Sequence, residues 1–363
     1  MLGLTRLLDV ATICRALGQA DARSVAKVGT LSRQLVQDRL RHLQLPRLTL
    51  DFDGSVIHTR RHAEGSAVGY CKAKKGARSY YPLFCTVAQT GQVFDVLHRA
   101  GNVHDSRGAQ AFAVACLEQA RALRPDAQLE VRLDSAFFSE AMVTTLEDAH
   151  VEFTLSVPFE RFVELKQLIE QRRRWHRITP DLAYAELPWT PKSWTSSARF
   201  VCVRKGVRER QPGPLQLDLF VPQQTGYEFK VIATNKTVSP ATILAFHNGR
   251  GAQEGLFAQL KTQCQLDYVP CRRLVGNQLF LHAGVLAHNL GRELQMTARP
   301  PERTTTPTRM ALWSFQELQT LRHTLLRRAG RLTRPQGELT LTLSANAEVK
   351  AEFLQYLQAL EAA

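Results

Sequence analysis

Residues 47–55 read R-L-T-L-D-F-D-G-S. Leu48, Leu50 and Phe52 alternate with Thr49, Asp51 and Asp53, the period of a half-buried strand. Asp51 and Asp53 therefore project from one face. Aspartate is a poor strand residue, so two on one face need a reason. Gly54-Ser55 ends the strand and leaves Asp53 at its rim. A second apolar run, L-E-V-R-L-D-S-A-F-F at 129–138, ends in Asp134-Ser135 ahead of a helix expected near 139–149. An Asp at the C-terminal end of a strand is where open α/β sheets place functional groups, and it is equally a helix cap.

Outward from these runs, the spacing predicts strands at 47–53, 80–88, 92–99, 128–133 and 151–157, with helices near 106–123 and 139–149. Three strands joined by short turns, then alternating helices and strands, is the order of a ribonuclease H-like fold, a mixed sheet flanked by helices. Residues 1–46 read as a short helical segment, with Thr30 or Ser32 as a cap for the amphipathic stretch 31–43. Residues 47–157 form the first part of the core. A β-rich insertion is expected over 158–226, with β-prone pieces at 183–187, 198–204 and 215–221. The core resumes over 227–298, including a long apolar helix at 275–296. A proline-rich linker at 299–309 opens the basic C-terminal region, 299–363.

The segment H-N-G-R-G-A-Q-E-G-L-F-A-Q-L-K at 247–261 carries the third informative pattern. On one helix of about 100° per residue, Glu254 and Lys261 lie within roughly 20° of each other. Arg250 and His247 flank them, while Leu256 and Leu260 point the other way. That is a lone carboxylate among cations, suited to a metal ligand beside phosphate-gripping side chains. For a helix taken alone, an ordinary solvated face explains it as well.

Asp, Asp and Glu in this order resemble the DDE transposases of bacterial insertion sequences, more narrowly the insertion-sequence-4 superfamily and its 1380-like branch. The superfamily signature, Y-(2)-R-(3)-E-(6)-K, is reproduced in spacing by His247, Arg250, Glu254 and Lys261, with His in place of Tyr. D-G-S at 53–55, G-Y-C-K-A-K-K-G-A-R-S-Y-Y-P-L at 69–83, R-A-G-N at 99–102, V-R-L-D-S-A-F at 131–137 and A-H-N-L at 287–290 also match. The resemblance covers roughly residues 47 to 335. It implies that the first and fourth strands lie side by side, and that Asp53, Asp134 and Glu254 hold two Mg²⁺ ions, with Mn²⁺ as a substitute. Asp51 is the rival to Asp53. Fewer residues precede the first Asp than members of the family usually carry, so part of the end-recognition region is expected to be missing.

Composition agrees with a polyanionic partner. The chain has 363 residues, and Lys+Arg of 47 against Asp+Glu of 33 leaves a net charge of +14, which points to a polyanion; the resemblance implies that it is double-stranded DNA. Local basic groups are Lys72, Lys74, Lys75 and Arg78, and Arg172, Arg173 and Arg174 beside Trp175, which joins phosphate attraction to a stacking surface. Trp189 and Trp194 are read either as stacking on a base or as packing of the insertion. No apolar run of about 18 residues argues for a membrane. The seven cysteines are scattered without C-x-x-C, so neither zinc nor a disulfide framework is indicated. The expectation is a cytoplasmic, nucleoid-associated transposase, a homodimer on DNA. Two rivals remain: a transposase-derived DNA-binding relic, and a ribonuclease H-like nuclease that does not join strands.

Overall fold

The computed structural model describes residues 9–59, 62–69, 75–103, 107–206, 226–343 and 346–362. Its centre is a mixed sheet of nine strands. In chain order these are β1 (Arg47–Gly54), β2 (Leu83–Val87), β3 (Gln92–Leu97), β4 (Gln128–Leu133), β5 (Glu152–Val157), β6 (His176–Thr179), β7 (Leu182–Leu187), β8 (Arg199–Gly206) and β9 (Tyr227–Thr234). Across the sheet the order is β3-β2-β1-β4-β5-β9-β8-β7-β6. β1 pairs antiparallel with β2 and parallel with β4, and β4 pairs parallel with β5. All five strands expected in the first part of the core form, within a few residues at each end.

The helices are α1 (Val10–Gln19), α2 (Ala22–Leu43), α3 (Ala109–Leu123), α4 (Glu140–Asp148), α5 (Val163–Gln171), α6 (Pro240–Asn248), α7 (Ala252–Gln263) and α8 (Leu274–Ala298). α2 starts earlier than expected. Asp21, not Thr30 or Ser32, caps it by accepting from Ser24 N at 2.7 Å, and nothing between 22 and 30 breaks the helix.

The alternation in β1 sorts its two faces. Leu50 and Phe52 enter a core with Leu40 of α2, Phe112 of α3 and Val143 of α4, and the Phe52 and Phe112 rings meet edge to face at 6.0 Å. The opposite face is covered by α6, α7 and α8, with Phe84, Val93 and Val96 packing on Phe257, Leu260 and Leu281. The strands from 158–226 extend the same sheet, because β9 pairs antiparallel with β5 and carries β8, β7 and β6 in turn. The expected strand at 215–221 lies outside the described residues.

Under α6 the sheet face is polar. Parallel register sets Thr49 beside Glu130 and Asp51 beside Arg132. Glu130 is fully buried, taking Arg47 at 2.9 Å, Lys236 at 2.7 Å and Arg309 at 2.8 Å, plus the Thr49 hydroxyl at 2.9 Å. Burial by itself would raise the Glu130 pKa, but the hydrogen bond from Arg309 and the Lys236 charge bring it down to about 2. The proline-rich stretch expected as a linker runs over the surface but is tied to the interior by its last residues. Arg309 reaches Glu130, and Arg132 Nη1 donates to the Thr308 carbonyl at 2.8 Å. Gly249 permits this approach, since a Cβ there would lie 2.0 Å from the Thr308 oxygen.

Candidate active site

The polar stripe runs out at the C-terminal ends of β1 and β4, where Asp53 and Asp134 stand half-buried. Asp134 also caps the short turn that follows, accepting from Ala136 N at 3.0 Å. Asp53 accepts from its neighbour Gly54 N at 2.8 Å and from Arg250 Nη1 at 2.9 Å. Burial first, and the like charge of Asp134 second, push the Asp53 carboxyl up to about 6, although Arg250 pulls the other way. Two carboxylates therefore share one rim closely enough for the charge of Asp134 to oppose the ionisation of Asp53.

Asp51 is two residues away and unavailable. Its carboxylate is almost fully buried and takes Arg132 through both oxygens, at 2.5 and 2.7 Å. Arg132, which the sequence reading passed over, signals itself only as a charge in an otherwise apolar strand.

Glu254 lies in the first turn of α7 and is exposed. Its neighbour Gln253 anchors that turn on β1 and β2, donating to the Asp51 carbonyl at 3.2 Å and the Thr86 hydroxyl at 3.1 Å. Arg250, one turn earlier, reaches Asp53. The α7 start thus stands beside the aspartate pair, but among the described residues no three carboxylate, His or Cys groups are grouped to hold one ion.

The remaining expected site residues divide. His247 was expected to contact DNA, yet it is buried, with Nδ1 3.0 Å from the Thr154 hydroxyl and Nε2 2.8 Å from that of Ser156. Burial, then the charges of Lys230 and Arg250, hold its pKa well below the usual imidazole range. His247 belongs to α6, which lies against the sheet at Thr154 and Ser156, whereas Glu254 opens α7 after a 3₁₀ turn at Gly249–Gly251. Arg78 is likewise tied down, donating to the Ser66 hydroxyl at 3.0 Å and to the Ser66 carbonyl. Arg250 is engaged with Asp53 rather than open to a phosphate. Lys261 is half-buried near the end of α7, and Lys75 is exposed; Lys72 and Lys74 lie outside the described residues.

Arg173 and Arg174 are exposed just past α5. Arg172 is half-buried and donates to the Arg174 carbonyl at 3.0 Å. Trp175 stacks under Arg204, whose guanidinium carbon lies 4.6 Å from the ring centre. Trp189 packs among Phe162 and Phe200. Trp194 stacks on Phe138 at 4.7 Å, four residues past Asp134. The sequence reading also missed Lys230 on β9, whose signal was a lone lysine entering an apolar strand.

No curated protein matches the chain. Among solved structures it is similar to the piggyBac transposase in its synaptic complex with hairpin DNA, at 12% identity and a TM-score of 0.40, over 83% of this chain and 57% of that one. It is also similar to the Mos1 transposase in its paired-end complex with the left transposon end, at 10% identity, 42% and 46% coverage and a TM-score of 0.22. The Mos1 mariner paired-end complex with Mn aligns at 12% identity, 42% and 47% coverage and a TM-score of 0.21. The chain thus spans about half the length of these proteins. No helix among the described residues is long and apolar enough to cross a membrane. The profile of one family, described as transposase DDE domain group 1, matches residues 5–363, so the chain belongs to that family.

Proposed function

We propose that the chain cuts and joins DNA at the ends of an insertion sequence, as a metal-dependent endonuclease and strand transferase of the insertion-sequence-4 type. The observation that carries this reading is the meeting of Asp53 and Asp134 at adjoining ends of two parallel strands, with the first turn of α7, which bears the exposed Glu254, anchored on β1 through Gln253. The order β3-β2-β1-β4-β5, antiparallel on one side of β1 and parallel on the other, supports a ribonuclease H-like core.

Divalent metal fits these residues. Crowded carboxylates, one pushed up to about 6 by burial and a like charge, are hard oxygen donors whose repulsion a cation relieves. Asp53, Asp134 and Glu254 would hold it, as two Mg²⁺ ions, with Mn²⁺ accepted. Bound there, the ions supply an activated water or DNA 3′-hydroxyl and charge for the leaving oxygen.

The protein's own part is holding and orienting. Asp51 is neutralised by Arg132, which keeps it from competing for metal and keeps β1 in register with β4. Arg250 holds Asp53 in the DNA-free protein; once released, its guanidinium suits two oxygens of the scissile phosphate. Lys261 follows on the same helix, and Arg172–Arg174 contact backbone phosphates. The partners are element ends and target DNA, engaged by a homodimer in the cytoplasm on the nucleoid.

The test is cleavage of an element-end DNA fragment with and without Mg²⁺, by the native protein and by Glu254→Gln. The variant should bind DNA as the native protein does and fail to nick it. Equal Mg²⁺-dependent nicking by both would overturn the assignment of Glu254. DNA binding without nicking by the native protein would favour a DNA-binding relic, for which the exposed position of Glu254 speaks.

A further inference from the structure

We propose that Lys230, together with Asn248, is a phosphate-contact site for the DNA strand that passes Asp53 and Asp134. The proposal rests on the DNA-processing reading above and adds a binding residue on β9 to the α7 cations.

Strand alternation sets Lys230, Ile232 and Thr234 on one face of β9. Ile232 is opposite Ser156 of β5 and Thr234 is opposite Thr154, the two hydroxyls that hold His247. Lys230 therefore emerges just beyond the end of α6, on the sheet face that carries the polar stripe. There its ammonium donates to Asn248 Oδ1 at 3.2 Å.

Lys236, further along the same chain segment, provides the contrast. It is buried and is paired with both Glu130 and Glu152. Lys230 is half-buried, and its hydrogen-bond partner is a neutral amide oxygen. Burial, and next the charge of Arg250, lower its pKa. Arg250 in turn holds Asp53. Lys230 and Arg250 thus stand near enough for the charge of one to act on the other, a repulsion that an added anion relieves.

Space for that anion is present. A cavity of about 670 Å³ opens beside Lys230 and Asn248, floored by Val203 and Leu244. Lys205 and Glu228 are direct cross-strand neighbours and Asp181 also lines the cavity, while Lys230 is hydrogen-bonded to the neutral Asn248. A backbone phosphate between Lys230 and Arg250 would accept charge-assisted hydrogen bonds from both, with its sugar over the apolar floor. A DNA phosphate and free phosphate share this chemistry, and the experiment separates them.

The experiment measures the affinity of the full chain for a 30-base-pair duplex across a range of salt, for the native protein and the Lys230→Gln, Lys230→Arg and Lys205→Gln variants. Loss of one phosphate contact should flatten the log–log salt slope of Lys230→Gln by about 0.9 and weaken binding roughly eightfold at 0.1 M salt. Lys230→Arg should restore both, and Lys205→Gln should change neither. Inorganic phosphate at millimolar concentration should not displace the duplex from the native protein if the site is built for a DNA backbone. Displacement by inorganic phosphate that is lost in Lys230→Gln would overturn the DNA assignment. A native slope in Lys230→Gln, or equal flattening in Lys205→Gln, would overturn this inference alone. A native protein with no salt-dependent DNA affinity would overturn the functional reading as well.

Discussion

Replacing Glu130 by Gln tests the support beneath the site. The carboxylate is fully buried among Arg47, Lys236 and Arg309, and its pKa is drawn from the ordinary 4.5 to about 2. At about 1.4 kcal/mol per pH unit, that difference corresponds to roughly 3 kcal/mol of stability. The independent expectation for breaking a buried ion pair by removing one partner is about 3–5 kcal/mol, so the two routes agree. The folded pKa is below the unfolded one, so this stability is fully present above 4.5 and is lost as pH falls through about 2. Urea unfolding of the native protein and Glu130→Gln should differ by roughly 3 kcal/mol at pH 7, and by less than half of that at pH 3. A gap under about 1 kcal/mol at pH 7, or one that does not shrink on acidification, would refute the buried-cluster reasoning. The consequence reaches the active site because Arg309 secures the 306–309 stretch, whose Thr308 carbonyl meets Arg132.

Three further outcomes are expected. His247→Ala takes from the buried Thr154 hydroxyl its imidazole partner at a cost of about 1–3 kcal/mol, with DNA affinity unchanged; reduced affinity at intact stability would restore His247 to the DNA interface. Arg250→Ala should slow single-turnover cleavage more than it weakens DNA binding, and Arg250→Lys should restore little because ammonium lacks the planar fork; parent-rate cleavage by the alanine variant would assign Arg250 to holding Asp53 alone. Alanine at both Arg173 and Arg174 should flatten the salt slope by about 2 for two phosphate contacts and weaken all duplexes alike, whereas a loss confined to one sequence would show base recognition instead.

The sequence by itself determined the strands that build the centre of the sheet and the polar character of three positions. Alternation over 48–53 is a local property of the chain, so Asp51 and Asp53 could be set on one face without knowledge of any neighbour. The long apolar α8 was legible as well, because its composition is a local property too. Membership of the transposase DDE family was also legible, because the order of the two aspartate motifs and the glutamate survives in one dimension.

Only the tertiary structure shows the different surroundings of Asp51 and Asp53. The Arg132 fork closes one of them and leaves the other beside Asp134. That choice depends on the register between β1 and β4, some eighty residues apart, and no local period carries it. The same holds for the strands of 158–226, whose exposed edges gain hydrogen bonds only by joining β9 and so extend the main sheet. His247 went inside because α6 lies against β5, where the Thr154 and Ser156 hydroxyls take its ring. A helical wheel ranks residues by direction about one axis and does not say which turn lies under the sheet and which at its rim.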